Sequence, residues 1–178
     1  MLRARLLVAD DNKVNRLLLT RSLELQGHSV ACAENGRIAL EMLRAAAGAG
    51  AGSGAGAQAF DLLLLDMEMP EMTGFEVLEH LSADATLRDL PVIVTSSLEG
   101  IAHIVRCIEL GAEDYLSKPV NPVLLRARLG ASLEKKRLRD NQAALVRRFA
   151  TSEVAQDLAQ SGFEIGRASC RERVLVAV

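Results

Sequence analysis

The stretch whose reading decides the fold is FDLLLLD, residues 60–66, with the segment that follows it, MEMPEMTGFEVL, residues 67–78. Four consecutive leucines leave no polar face. A short run apolar on both sides reads as a strand covered above and below, as a central strand of a parallel sheet is. It ends on the carboxylate of Asp66. After Pro70 and Gly74 a helical pattern begins, GFEVLEHLSA, residues 74–83.

The same strand-then-helix unit recurs on either side. Upstream, ARLLVADD (4–11) is an apolar run closing on carboxylates, and NRLLLTRSLELQG (15–27) has helical periodicity with a glycine stop. HSVACAENG (28–36) and RIALEMLRAAA (37–47) repeat the unit. Downstream, LPVIVTSS (90–97) is a buried strand, GIAHIVRCIELG (100–111) a helix, and AEDYLSKPV (112–120) a fifth strand. From Asn121 a long helical pattern runs to about Gln160. Strands alternating with helices predict an α/β, doubly wound, five-stranded parallel sheet with a long C-terminal helix. The Gly/Ala tract at about 47–58 is an insertion. No Lys-Ser/Thr pair follows it, as a phosphate loop would require.

In such a sheet the ligand site lies beyond the carboxyl ends of the strands. The residues there are Asp10, Asp11, Asp66, Ser96, Ser97 and Lys118. Carboxylates this close repel unless a cation sits among them, and an all-oxygen donor set suits Mg²⁺. Lysine is a point charge for a phosphoryl oxygen, and a hydroxyl donates to another. Together they make a phosphoryl-transfer site with a carboxylate as acceptor. Alone, an acidic pair after a strand is as well read as a solvated turn or helix cap. The joint arrangement at the strand ends favours the site.

Composition bounds the rest. The chain has 178 residues, is 49% hydrophobic and carries a net charge of -2, so no nucleic-acid footprint is indicated. Cys32, Cys107 and Cys170 show no metal or disulfide spacing, and a reducing, cytoplasmic setting is the expectation. His28, His80 and His103 form no ligand cluster. No apolar run reaches the ~20 residues of a membrane span, so no membrane partner is expected. Met67, Met69 and Met72 read as packing residues.

LVADDNKVNR, DLLLLDMEMPEMTGFEVL, LPVIVTSS and GAEDYLSKPVNPVLLRARL resemble the response-regulator receiver family, over about residues 5–130. The resemblance implies a flavodoxin-like receiver domain at residues 1–130. Asp66 is then the phosphoacceptor, served by a sensor histidine kinase or phosphotransfer protein. Asp10 and Asp11 bind Mg²⁺ with Asp66. Ser96 is the switch hydroxyl, Tyr115 the switch aromatic and Lys118 the phosphate-binding lysine. Ser97 fills a position that must be small, and the Lys118–Pro119 peptide is expected to be cis. Thr73 stands where the family often has Asp and can still cap the next helix. Glu68 adds a negative charge beside the acceptor. The chain itself is then not an enzyme. The rival to this reading is a binding module whose acidic pocket holds a metal without phosphotransfer.

Beyond the receiver, Leu125, Leu129 and Leu133 share one helix face. Leu124, Ala131, Leu138 and Leu145 recur every seven residues. The plain reading is a solvated helical linker; the sharper one is a parallel homodimer through this helix. Residues 131–163 are expected to be linker and the start of a truncated output domain. RRFATSEVAQDLAQSGFEIG (147–166) resembles the lead-in to class III adenylate/guanylate cyclase domains, which implies the regulatory fragment of a cyclase lacking its catalytic domain. A diguanylate cyclase is the alternative output. IGRASCRERV (165–174) resembles one translated frame of a sequencing-library adapter, so residues 164–178 are expected to be a non-native tail, the alternative being a basic linker.

Overall fold

A computed structural model describes residues 3–49, 59–97 and 100–160. Its elements run β1 (Arg5–Ala9), α1 (Lys13–Leu25), β2 (Ser29–Ala33), α2 (Gly36–Ala49), β3 (Leu62–Asp66), α3 (Gly74–Ala83), β4 (Val92–Ser96), α4 (Ile101–Glu109), β5 (Asp114–Ser117) and α5 (Pro122–Gln160). The five strands are all parallel, in the order β2-β1-β3-β4-β5. The order reverses between β1 and β3, which is where a doubly wound sheet opens its ligand crevice. The doubly wound, flavodoxin-like sheet read from the sequence is the one observed. One compact unit covers Met1–Arg137, and a second begins at Leu138.

Alternation along each strand divides the core in two. On one face Leu7, Leu63, Leu65 and Val94 pack with Leu40 and Leu43 of α2, Val77 and Leu78 of α3, and Cys107 of α4. On the other Leu6, Val8, Leu62, Leu64 and Ile93 pack with Leu19 and Leu23 of α1 and Leu125 and Leu129 of α5. All of β3 is buried. Burying each such leucine contributes roughly 1.5–3 kcal/mol, so β3, like the fully buried β4, is firmly anchored. Met67 and Met69 belong to the first cluster, with Met72 against it, as packing residues would.

Short polar side chains set the helix starts. Asn12 Oδ1 accepts from Val14 N and Asn15 N, and Asn35 Oδ1 accepts from Ile38 N at 2.8 Å. Asn121 Oδ1 accepts from Val123 N and Leu124 N, with Pro122 at the first helical position, where its missing N–H costs nothing. Thr73 caps α3 in a reciprocal box with Glu76. Helix α2 runs to Ala49, two residues further than the sequence pattern suggested. Alanine's helix propensity carries it into the Gly/Ala tract.

Helix α5 spans Pro122–Gln160. Leu125 and Leu129 are buried and Leu133 packs beside them, as their four-residue spacing predicts. No helix among the described residues is long and apolar enough to cross a membrane. Of the cyclase-like segment 147–166 the helical backbone is described as far as Gln160, with Phe149 exposed, and the adapter-like tail 164–178 lies outside the described residues. Most of the Gly/Ala tract, at 50–58, lies outside them too.

Candidate functional site

Strand register brings the predicted residues to one edge. β1 ends at Ala9, opposite Leu65, so Asp10 follows beside Asp66. Asp66 pairs with Thr95, and Ser96 with Ser117, so Ser96 and Lys118 leave neighbouring strand ends. Asp10, Asp66 and Ser96 are each 1% exposed, whereas Asp11 faces solvent. One carboxylate oxygen from each of Asp10, Asp11 and Asp66 lies within 4.8 Å of the others.

Lys118 joins two of them. Its Nζ donates to Asp66 Oδ2 at 2.6 Å and to Asp10 Oδ2 at 2.9 Å. The Lys118–Pro119 peptide is cis, as expected. Burial pushes the Asp66 carboxyl above its usual range, against the opposing pull of the Lys118 bond. Burial also acts to lower the Lys118 ammonium, but its bonds to Asp66 and Asp10 outweigh that, and it is held above its ordinary value. Lys118 therefore serves as a permanent internal counter-ion.

Three carboxylates against one ammonium leave two negative charges in excess at the site. That balance and the oxygen-only donors fit a hard divalent cation. Bound there, Mg²⁺ would neutralise that excess charge. Exposed Asp11 leaves one side open to water. Asp10, Asp11 and Asp66 are thus the residues that would hold the ion.

Tyr115 pairs with Val94, two residues before Ser96. Paired and alternate residues share a face of the sheet, so Tyr115 and Ser96 do too. Tyr115 is half-buried against the cluster that contains Cys107 of α4. Ser97 is exposed at the start of the segment leaving β4.

Several contacts here were not read from the sequence. Arg16 Nη1 donates to the carbonyls of both Asp10 and Asp11, at 2.7 and 2.8 Å, and so fixes the acidic turn. Asn12 N donates to Asp10 Oδ1 at 2.8 Å. Glu68 N donates to Asp66 Oδ1 at 3.2 Å, and Glu68 Oε2 accepts from Ser97 N at 3.1 Å. Arg16 stands one helical turn past the Asn12 cap, which is the one signal that could have marked it.

Known proteins resemble this chain in sequence and fold. The chain is 36% identical over 140 residues to response regulator MprA of Mycobacterium ulcerans, covering 79% of this chain and 54% of that protein. It is 35% identical over 116 residues to two-component response regulator ORR3 of Oryza sativa, covering 65% and 80%. It is 37% identical over 126 residues to response regulator PleD of Caulobacter vibrioides, covering 71% and 25%. It therefore spans about half of MprA and a quarter of PleD. Among solved structures it resembles a CheY-like receiver domain protein of Methanospirillum hungatei, with a TM-score of 0.66 and 23% identity over 78% of this chain and 99% of that one. The receiver domain of a signal transduction histidine kinase from Syntrophus aciditrophicus gives 0.62 and 28%, over 74% and 91%. The family profile described as response regulator receiver domain matches residues 6–130. The chain belongs to that family of two-component phosphorelay proteins, whose receiver domains act as phosphoacceptors for histidine kinases or phosphotransfer proteins.

Proposed function

We propose that Asp66 accepts a phosphoryl group from the phosphohistidine of a sensor histidine kinase or phosphotransfer protein. The observation that carries this reading is the buried Asp66 carboxylate, bonded to Lys118 and within 4.8 Å of two further carboxylates. An Asp66 oxygen attacks phosphorus, the P–N bond breaks, and the imidazole leaves with the electron pair. Lys118 orients the attacking carboxylate and offers its charge to a phosphoryl oxygen. Bound Mg²⁺ would supply charge neutralisation for the carboxylates and the transferred oxygens. Exposed, small Ser97 leaves room at the entrance.

Ser96 and Tyr115 carry the response. A phosphoryl oxygen offers the Ser96 hydroxyl a new acceptor, and the Tyr115 ring moves inward on the same face of the sheet. Two packings of α4 then exchange population. Helix α4 exposes Ile101, Val105 and Ile108, an apolar stripe suited to reporting such a change. Residues 131–163 pass the state to an output domain. Leu138 and Leu145, seven residues apart and each about half exposed, support a homodimer through this helix. The cyclase output rests on the resemblance of residues 147–166 alone. The expected setting is the cytoplasm.

The test is incubation with acetyl phosphate and Mg²⁺, followed by intact mass. One phosphoryl mass gained, and lost with chelator, is the expected result. Labelling that is unaffected by chelator would remove the metal from the reading, and absence of labelling would leave a metal-binding module.

A further inference from the structure

Helix α4 is held to the domain by little. It buries one residue, Cys107, where the neighbouring α3 buries Gly74, Val77, Leu78 and Leu81. It starts at Gly100, which has no side chain to cap a backbone donor. Ile101, Val105 and Ile108 stand in solvent. Against this, one side-chain contact reaches across to α3. The Arg106 guanidinium lies over the Phe75 ring, with Cζ 4.4 Å from the ring centroid. A cation so placed is attracted by the electron-rich face of the ring.

The two partners are unequal. Phe75 is half-buried against the first core cluster. It is the second residue of α3, whose start is closed by the Thr73–Glu76 box. The N–H of Gly74, just before it, donates to Met67 O at 3.2 Å, and Met67 follows Asp66 directly. The ring therefore stands on the segment that leaves the acceptor. Arg106 is exposed, on a long side chain of the loosely held helix. Phe75 is the platform and Arg106 the movable part.

We propose that the Arg106–Phe75 stack is a latch that holds α4 in the packing of the unmodified chain, with Arg106 as its positioning residue. The inference rests on the reading in which phosphorylation of Asp66 exchanges two packings of α4. A cation interacts with a ring face only within about 6 Å of its centroid. A shift of α4 against α3 therefore gives up the contact, while Phe75 stays with the core. An exposed stack of this kind changes a two-state ratio about two- to fivefold. It biases the exchange without deciding it, because the charged hydrogen bonds of a phosphoryl group are stronger.

The experiment uses the full chain as wild type, Arg106→Gln, Phe75→Leu, the double variant and Phe75→Tyr. NMR follows the amides of Ala102 in α4 and Tyr115 in β5, both away from the substituted positions. Wild-type signals before and after treatment with acetyl phosphate and Mg²⁺ define the two packings, and intact mass reports the phosphoryl group. Arg106→Gln keeps much of the side-chain length and removes the charge. Phe75→Leu keeps apolar bulk and removes the ring face. In each unmodified variant both amides should move toward their phosphorylated positions, as a two- to fivefold change in ratio requires. The double variant should move no further than either single one, because the contact is already gone. Phe75→Tyr keeps a ring and should return to the wild-type positions. Unmoved amides in Arg106→Gln overturn the inference. So does a double variant whose displacement is the sum of the single ones, which would make the two residues independent. Phe75→Tyr behaving as Phe75→Leu overturns it as well. In the wild type, mass gain without movement of either amide removes the exchange of α4 packings and the latch with it, leaving Asp66 as acceptor. No mass gain in the wild type overturns the phosphoacceptor reading too.

Discussion

Strand β3 is flanked by an aspartate at each end, and both face a lysine. At the amino end Asp61 Oδ2 accepts from Arg5 N at 2.8 Å, and Lys136 Nζ stands 3.7 Å from Oδ1. At the carboxyl end Asp66 meets Lys118 at 2.6 Å. The chemistry is the same, but the surroundings differ. The Asp61 side chain is 38% exposed; that of Asp66 is 1% exposed and shares its space with Asp10 and Asp11. Water screens the first pair and leaves it a modest structural contact. Burial and like charge at the second make a place suited to a cation. Burial and crowding, more than residue type, separate a site from a surface ion pair.

The sharpest break in this comparison is substitution of the acids. Asp66→Asn should abolish the mass gain with acetyl phosphate and Mg²⁺, while Asp61→Asn should leave it near wild type. Labelling that persists in Asp66→Asn would move the acceptor elsewhere.

The lysines come next. In metal-free buffer at pH 7, Lys118→Met leaves two buried carboxylates uncompensated and should cost about 3 kcal/mol in denaturant melts. Added Mg²⁺ should restore more stability to this variant than to wild type. Lys136→Met should cost no more than about 0.5 kcal/mol. Equal losses would mean that burial does not distinguish the pairs.

Glycines at the two ends should respond in opposite directions. A Cβ on Gly74 would sit 2.6 Å from the Asp66 carbonyl oxygen and 2.7 Å from Met67 Cα, both backbone atoms. Gly74→Ala should therefore cost about 1–3 kcal/mol and slow phosphorylation by displacing the acceptor. A Cβ on Gly130, within α5, meets nothing within 4 Å. Gly130→Ala should stabilise by roughly 0.5–1 kcal/mol through helix propensity. Thermal melts of both variants read the contrast.

The smallest effect is a pH slope at the amino end. His28 Nδ1 accepts from Ala4 N at 3.3 Å, and burial holds its imidazole below the ordinary 6.5, Asp61 opposing. The unfolded chain then binds the proton first. Stability is full above pH 6.5 and falls as pH drops through that value toward the folded one. His28→Gln should flatten this part of the profile relative to wild type; an unchanged slope would assign it to other groups.

Much of this contrast was legible in the sequence. Four leucines bounded by aspartates fixed β3 as central, and periodicity gave α3 its bounds to the residue. The carboxyl-edge rule gathers Asp10, Asp11, Asp66, Ser96 and Lys118 from the sequence alone. Thr73 was readable as a cap because capping is local. Arg16 and the Glu68–Ser97 bond were not readable. Arg16 had only its place one turn past the Asn12 cap to mark it, and the Glu68–Ser97 bond depends on where a long side chain lands once separate segments are packed. The fifth strand read as 112–120 pairs only over Asp114–Ser117, because pairing ends where its neighbour β4 ends.

The complete burial of β3 also sets a hierarchy of opening. Leu63, Leu64 and Leu65 lie under helices on both sides, so their amides should exchange with solvent only slowly. Asp66 therefore closes one of the two strands, β3 and β4, that are buried at every residue. A group attached there meets a backbone that does not yield. On the proposed reading, a displacement would be taken up by the exposed segments around it, with Asp66 as the fixed point.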